Sequence, residues 1–120
     1  MNKPDRWEYC AKVLRVVDGD TIDVLIEWDI GFQVGCKTEQ RLRFDRIDAP
    51  ELRRGSPEHR AAGKAATVFL ENQLPMGSMI QISTEPDPDV FGRYIADITL
   101  GDVNINDLMV KEGHAIYKEY

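Results

Sequence analysis

Lys12-Val13-Leu14-Arg15-Val16-Val17-Asp18-Gly19-Asp20-Thr21-Ile22-Asp23-Val24-Leu25-Ile26-Glu27-Trp28 decides how the rest of the chain must fold. Lys12 to Val17 is a short β-branched run, and Asp18-Gly19-Asp20 is a turn signal that stops it. From Thr21 to Trp28 the apolar Ile22, Val24, Ile26 and Trp28 alternate with Asp23, Leu25 and Glu27. Side chains of a strand point to opposite faces in turn, so this pattern predicts a strand with one strongly apolar face.

C-terminal to this unit, Asp29 to Gln40 contains Gly31 and Gly35 and reads as a long hairpin tip. Leu42 and Phe44 alternate with Arg41, Arg43 and Asp45 as the return strand. Asp48-Ala49-Pro50-Glu51 breaks that strand, because Pro has no N–H for the ladder. A helix follows, with Ser56 as N-cap, Pro57 at its first position and Glu58 complementing the dipole. Ala62, Ala65, Ala66 and Phe69 recur at helical spacing, and Pro75-Met76-Gly77 ends the segment. Met79 to Thr84 and Tyr94 to Leu100 read as two more strands, joined by a polar, Pro-rich loop from Glu85 to Arg93. A short helix from Asn104 or Asn106 to Glu112 carries Ile105, Leu108 and Met109 on one face and stops at Gly113. Three strands, a helix, two strands and a helix predict a mostly β fold with α: a five-stranded oligonucleotide-binding β-barrel with two helices packed on it. The expected organisation is a single domain over residues 1–120.

Length and composition agree with that expectation. A chain of 120 residues, 42% of them apolar, suits one core. No apolar run approaches a membrane span. The polar start, Met1 to Arg6, has no apolar stretch behind it, so the sequence reading is a cytoplasmic protein without a signal peptide. Cys10 and Cys36 then read as ordinary reduced thiols. The net charge of −6 argues against a polyanion-binding protein as a whole. Between Arg41 and Lys64, however, seven basic residues face four acidic ones, a local +3. Since screening acts over about 8 Å at physiological salt, a ligand in a cleft there feels the local sign.

The candidate chemistry lies at the strand ends. Asp20 and Asp48 each sit where a strand gives way to a turn, with Glu51 just past Asp48. Pairing strands would let these three carboxylates converge without His or Cys partners. That is a hard-oxygen site suited to Ca²⁺ or Mg²⁺. Arg43 leads to Asp48, and Arg93 follows Gly92 at the start of the fifth strand. Two guanidinium groups facing such a metal form a site for a phosphoryl group, whose transition state gathers negative charge. His59 and His114 lack spaced partners, and no Gly-rich phosphate loop or nucleophile elbow occurs.

Four motifs in order carry a resemblance: Val17-Asp18-Gly19-Asp20-Thr21; Leu42-Arg43-Phe44 with Ile47-Asp48-Ala49-Pro50-Glu51; Phe91-Gly92-Arg93-Tyr94; and Val103-Asn104-Ile105-Asn106 with Met109 to Ala115. Together they resemble the thermonuclease family, named for staphylococcal nuclease, from about Lys12 to Tyr117. The resemblance implies the same barrel and a Ca²⁺-dependent hydrolysis of DNA and RNA that leaves 3′-phosphate and 5′-hydroxyl ends. One Ca²⁺ would be held by the Asp20 and Asp48 carboxylates and the Ala49 carbonyl; Mg²⁺ is the weaker candidate. Glu51 would be the general base, and Arg43 and Arg93 would neutralise the phosphate. Phe91 stands where the family's best-known member has Tyr, and Val90 where it has Lys, while Tyr117 takes the place of base-stacking tyrosines. The hairpin from Asp29 to Gln40 is longer than the family's. A phosphate clamp needs no base readout, so the expected partners are single-stranded or frayed DNA and RNA of any sequence. The competing expectations are a catalytically silent barrel that binds nucleic acid or protein, and a calcium-stabilised structural domain. The intact set of five polar side chains favours the enzyme.

Overall fold

The computed structural model describes residues 6–29 and 31–119. Its elements, in chain order, are β1 (Trp7–Asp18), β2 (Thr21–Asp29), β3 (Gly35–Phe44), β4 (Ile47–Asp48), α1 (Pro57–Gln73), β5 (Met79–Thr84), β6 (Tyr94–Leu100), β7 (Val103–Asn104), α2 (Ile105–Lys111) and β8 (Ile116–Tyr117). β3, β2, β1, β5 and β6 lie side by side in that order as antiparallel neighbours. A parallel ladder from Leu42↔Tyr94 to Phe44↔Ala96 then joins β3 to β6 and closes a five-stranded barrel. Closure removes the exposed edges that an open sheet would present.

The alternation that predicted the strands also fills the barrel. Ala11 and Val13 of β1, Ile22, Val24 and Ile26 of β2, Leu42 and Phe44 of β3, Ile80 and Ile82 of β5, and Ala96 and Ile98 of β6 are all buried. Ser56 caps α1 by accepting from the His59 N–H, and Asn104 caps α2 by accepting from the Asp107 N–H. Asn106 lies fully buried at the joint of α2 and the barrel. It donates to the carbonyls of Asp45 and Ala96 and accepts from the Ile98 N–H, so no part of its amide is left unsatisfied.

Three expectations change. β1 starts at Trp7, five residues before the β-branched run. The expected hairpin tip is mostly strand, since β3 begins at Gly35 and the turn is confined to the residues just before it. Cys36, Thr38 and Gln40 are its more buried positions, alternating with exposed Lys37, Glu39 and Arg41. They are small or polar, so the period of two carries no apolar signal. On α1 the buried stripe is Gly63, Ala66, Thr67 and Leu70, whereas Ala62 and Ala65 face solvent.

The barrel is splayed at one end. β1 pairs with β2 only as far as Ala11↔Ile26. Beyond that point β1 continues along β5 to Trp7↔Thr84, and β2 continues along β3 to Asp29↔Gly35.

Candidate active site

At the opposite end, the β1–β2 turn, the end of β3 and the β4 segment converge. Gly19 makes this possible: a Cβ there would lie 2.8 Å from the Ala66 Cβ of α1 and 2.9 Å from the Ala49 Cβ. The turn therefore sits directly on α1 and on the segment after β4. Asp20, buried in the turn, accepts from the Thr21 hydroxyl at 3.0 Å and from the Ala49 N–H at 2.9 Å. Ala49, expected to offer its carbonyl, thus also pins Asp20 through its amide.

Arg43 lies buried between the two aspartates. Its Nη2 is 3.3 Å from Asp20 Oδ2 and 3.3 Å from Asp48 Oδ1. Its Nη1 donates to the carbonyls of Phe44 and Ile47, each at 3.0 Å. Main chain thus holds one side of the guanidinium while the other faces paired carboxylates. Asp48 is more open and also meets the Lys118 ammonium at 3.7 Å. Its backbone is paired with Ile116 of β8, so the C-terminal strand braces the site.

Burial pushes the Asp20 carboxyl up to about 6, reinforced by the hydrogen bond to the Asp18 carboxyl and opposed by the Arg43 charge. One arginine thus leaves this carboxylate short of positive charge. Two all-oxygen side chains gathered around such a deficit fit a hard divalent cation. The cluster of three carboxylates expected from sequence is not formed: among the described residues no three His, Cys, Asp or Glu side chains group to hold an ion. Glu51 is exposed and pairs with Arg54 at 3.7 Å. A cation would accordingly draw on Asp20 and Asp48, with the Ala49 carbonyl and water supplying the remaining oxygens.

Arg93 is placed by its loop. Asp89 Oδ1 accepts from the N–H groups of Phe91 and Arg93, and Asp89 Oδ2 takes the Arg93 guanidinium through Nε and Nη2, both at 2.9 Å. Burial would raise the Asp89 carboxyl, but these donors outweigh it and hold it below the usual range. The exposed Phe91 ring lies 5.1 Å from the Arg93 guanidinium carbon, within cation–π reach. The Tyr117 hydroxyl donates to Asp107 at 3.0 Å, on the side of α2.

Sequence reasoning missed three contributors. Asp89 organises the Arg93 loop, but one Asp in a Pro-rich loop has no distinguishing pattern. Asp23, on the middle of β2, is gripped across both neighbouring strands by Arg15 at 2.6 Å and Arg41 at 2.8 Å. The alternation Arg41, Arg43 opposite Asp23 could have signalled that ladder. Gly63 on α1 lies against the main chain of the Pro50-Glu51 segment: a Cβ there would be 2.3 Å from the Glu51 carbonyl oxygen.

The family model described as staphylococcal nuclease homologue matches residues 41–120. An uncharacterised protein of Bacillus anthracis is 33% identical over 107 residues, which is 88% of this chain and 46% of that protein. The thermonuclease of Staphylococcus hyicus is 31% identical across 94% of this chain and 62% of its own length. The thermonuclease of Staphylococcus intermedius is 33% identical across 90% of this chain and 59% of its own length. The chain spans less than two thirds of each of these relatives. With the family model covering the end of β3 through β8 and the relatives reaching back through the Asp20 turn, this chain belongs to the staphylococcal nuclease family.

Proposed function

We propose that the chain is a metal-dependent phosphodiesterase that hydrolyses DNA and RNA with little sequence specificity, leaving 3′-phosphate and 5′-hydroxyl ends. The observation that carries the reading is Arg43: a buried guanidinium, fixed by two main-chain carbonyls, facing two carboxylates. A surface ion pair needs no such anchoring. A donor that stabilises charge developing on phosphorus does, because preorganisation removes the cost of reorienting it during reaction.

In this reading Asp20, Asp48 and the Ala49 carbonyl hold one Ca²⁺. When bound, that ion supplies positive charge to a phosphate oxygen and to the attacking water. Arg43 turns its carboxylate-facing edge to the phosphate. Arg93 reaches it from the Asp89 loop, exchanging one oxygen partner for another. Glu51 leaves its weak, exposed pair with Arg54 to accept the proton of the attacking water. Phe91 and Tyr117, both exposed, would contact the flanking nucleotides.

The test is incubation with denatured DNA in Ca²⁺, in Mg²⁺ and in chelator, followed by analysis of the ends. Cleavage in Ca²⁺ that leaves 5′-hydroxyl ends, with none in chelator, is the expected result. Products with 5′-phosphate ends, or an inert protein in Ca²⁺, would contradict the reading.

A further inference from the structure

The splayed end of the barrel leaves one strand edge without a neighbour. β3 pairs with β2 along its whole length, from Asp29↔Gly35 to Thr21↔Arg43, but with β6 only from Leu42 to Phe44. Two bonds fix which way its backbone points. The Phe44 N–H donates to the Asp20 carbonyl, on the β2 side, and the Asp45 N–H donates to the Ala96 carbonyl, on the β6 side. Backbone direction alternates along a strand, and the β2–β3 register has no bulge. The N–H and C=O groups of Gly35, Lys37 and Glu39 therefore point to the β6 side. Among the described residues no strand meets them there. Lys37 and Glu39 are exposed, and neither has an ion-pair partner among the described residues, whereas Arg41 is held by Asp23.

We propose that this edge joins two copies of the chain, β3 against β3 in antiparallel order, about a two-fold axis at Thr38. A lysine on an open edge ordinarily discourages the addition of a strand. In this register its charge is answered. Lys37 of each copy exchanges both backbone bonds with the partner's Glu39, and the two side chains lie on one face as a cross-strand pair of opposite charge. The axis repeats the arrangement, so one sequence supplies two complementary pairs. Moving the axis one residue either way opposes like charges: Lys37 meets itself, or Glu39 meets itself with Lys37 against Arg41. Any extended peptide could offer backbone to this edge. Lys37-Thr38-Glu39 singles out a second copy, because read antiparallel it is its own complement.

The ends of the paired strands add apolar contact. The same register carries the turn of each hairpin past the partner's Arg41 to the start of its β6, since Leu42 is laddered to Tyr94 there. Phe32, at 98% exposure, stands on that turn, and Val90, at 94%, stands on the loop that leads into β6. Each is an apolar side chain left almost wholly in water within one chain, and the pairing brings the two regions together. The contact is short and lies at the small end of specific interfaces, so the dimer dissociates on dilution.

Sedimentation velocity of the full chain across a dilution series tests this. The expected result is a reversible equilibrium between monomer and dimer. Lys37→Glu sets a carboxylate against the partner's Glu39 at both pairs and should weaken the dimer about tenfold. The double variant Lys37→Glu/Glu39→Lys reverses both charges and should restore it, a rescue that a misfolded chain would not show. The pair at the axis is not hydrogen-bonded, so its Cα atoms lie about 4.5 Å apart, within disulfide reach. Thr38→Cys in a Cys10→Ser, Cys36→Ser background should therefore give a covalent dimer on oxidation, and Glu39→Cys in that background should not. A monomer at every concentration, a dimer that Lys37→Glu leaves intact, a charge swap that fails to restore it, or equal crosslinking at the two positions would overturn the proposal.

Discussion

Two aspartates three positions apart on one chain face opposite electrostatic fates. Asp20 is buried beside Asp18 and shares Arg43 with Asp48, and its carboxyl is raised to about 6. At neutral pH its charge therefore costs the metal-free protein stability. Asp20→Asn should stabilise the metal-free chain by about 1–3 kcal/mol, given 1.36 kcal/mol per pK unit. Ca²⁺ should raise the melting temperature of the parent protein and leave that of Asp20→Asn unchanged. A less stable variant, measured by thermal melting in chelator, would contradict the strain assigned to Asp20. Asp23 behaves the other way. Hydrogen bonds from Arg41 and then Arg15 outweigh its burial and hold its carboxyl below the usual range. A depressed folded value means stability that is present above the unfolded pKa near 3.9 and lost as pH falls through the folded one. Melting temperatures should therefore fall below pH 4 more steeply in the parent than in Asp23→Asn, and parallel curves would dismiss the triad as a stabilising element. Asp20 was legible from its place in a turn before a strand. Its strain was not, because burial and the Asp18 contact belong to the folded structure.

At the scale of elements, α1 does more than cover the barrel. Its buried stripe includes Gly63, and the main chain of Pro50 and Glu51 occupies the space a side chain would fill, with Cβ distances of 2.9 Å to the Pro50 oxygen and 2.3 Å to the Glu51 oxygen. Gly to Ala within a helix ordinarily gains about 1 kcal/mol. Here Gly63→Ala should cost about 1–3 kcal/mol through overpacking and should lower turnover by displacing Glu51. A more stable variant with parental activity would show that the segment yields freely. The cap of α1 was readable from Ser56, because capping is local chemistry, whereas the start of α2 stayed open between Asn104 and Asn106, and the structure makes Asn104 its cap. The helix face was not, since alanines on the exposed side mimic a core stripe and the true stripe holds Gly and Thr. The β2–β3 hairpin failed for a related reason. Its turn places Phe32 and Gln33 at φ 53° and 61°, left-handed values that Asn and Gly adopt more easily, and the Val34 N–H bonds back to Gly31. A turn built from Phe-Gln carries no turn signal, so the two flanking glycines enlarged the apparent loop.

The whole molecule keeps its barrel core apolar and assigns different work to its ends. The closed end carries Asp20, Arg43 and Asp48 on the turn and on adjoining strand ends, braced by α1 and β8; the splayed end carries the open edge of β3. The barrel was legible because inward alternation is strong on β2, β5 and β6. The convergence of Asp20, Arg43 and Asp48 was readable from their places at paired strand ends, whereas the pairing of Glu51 with Arg54 and of Arg93 with Asp89 belongs to the folded structure. In the proposed reaction Arg43 acts on the charge that develops in the transition state and does not merely dock a polyanion. The most direct measurement is single-turnover cleavage of a denatured oligonucleotide in saturating Ca²⁺ by Arg43→Ala, with Arg53→Ala as the comparison on the exposed basic surface. Loss of one preorganised charge donor costs about 3 kcal/mol, so Arg43→Ala should cut the chemical step by roughly 10²-fold or more at saturating substrate. Arg53→Ala should weaken salt-dependent binding and leave that step unchanged. An unchanged chemical step in Arg43→Ala, with only a salt-dependent loss of affinity, would contradict the account.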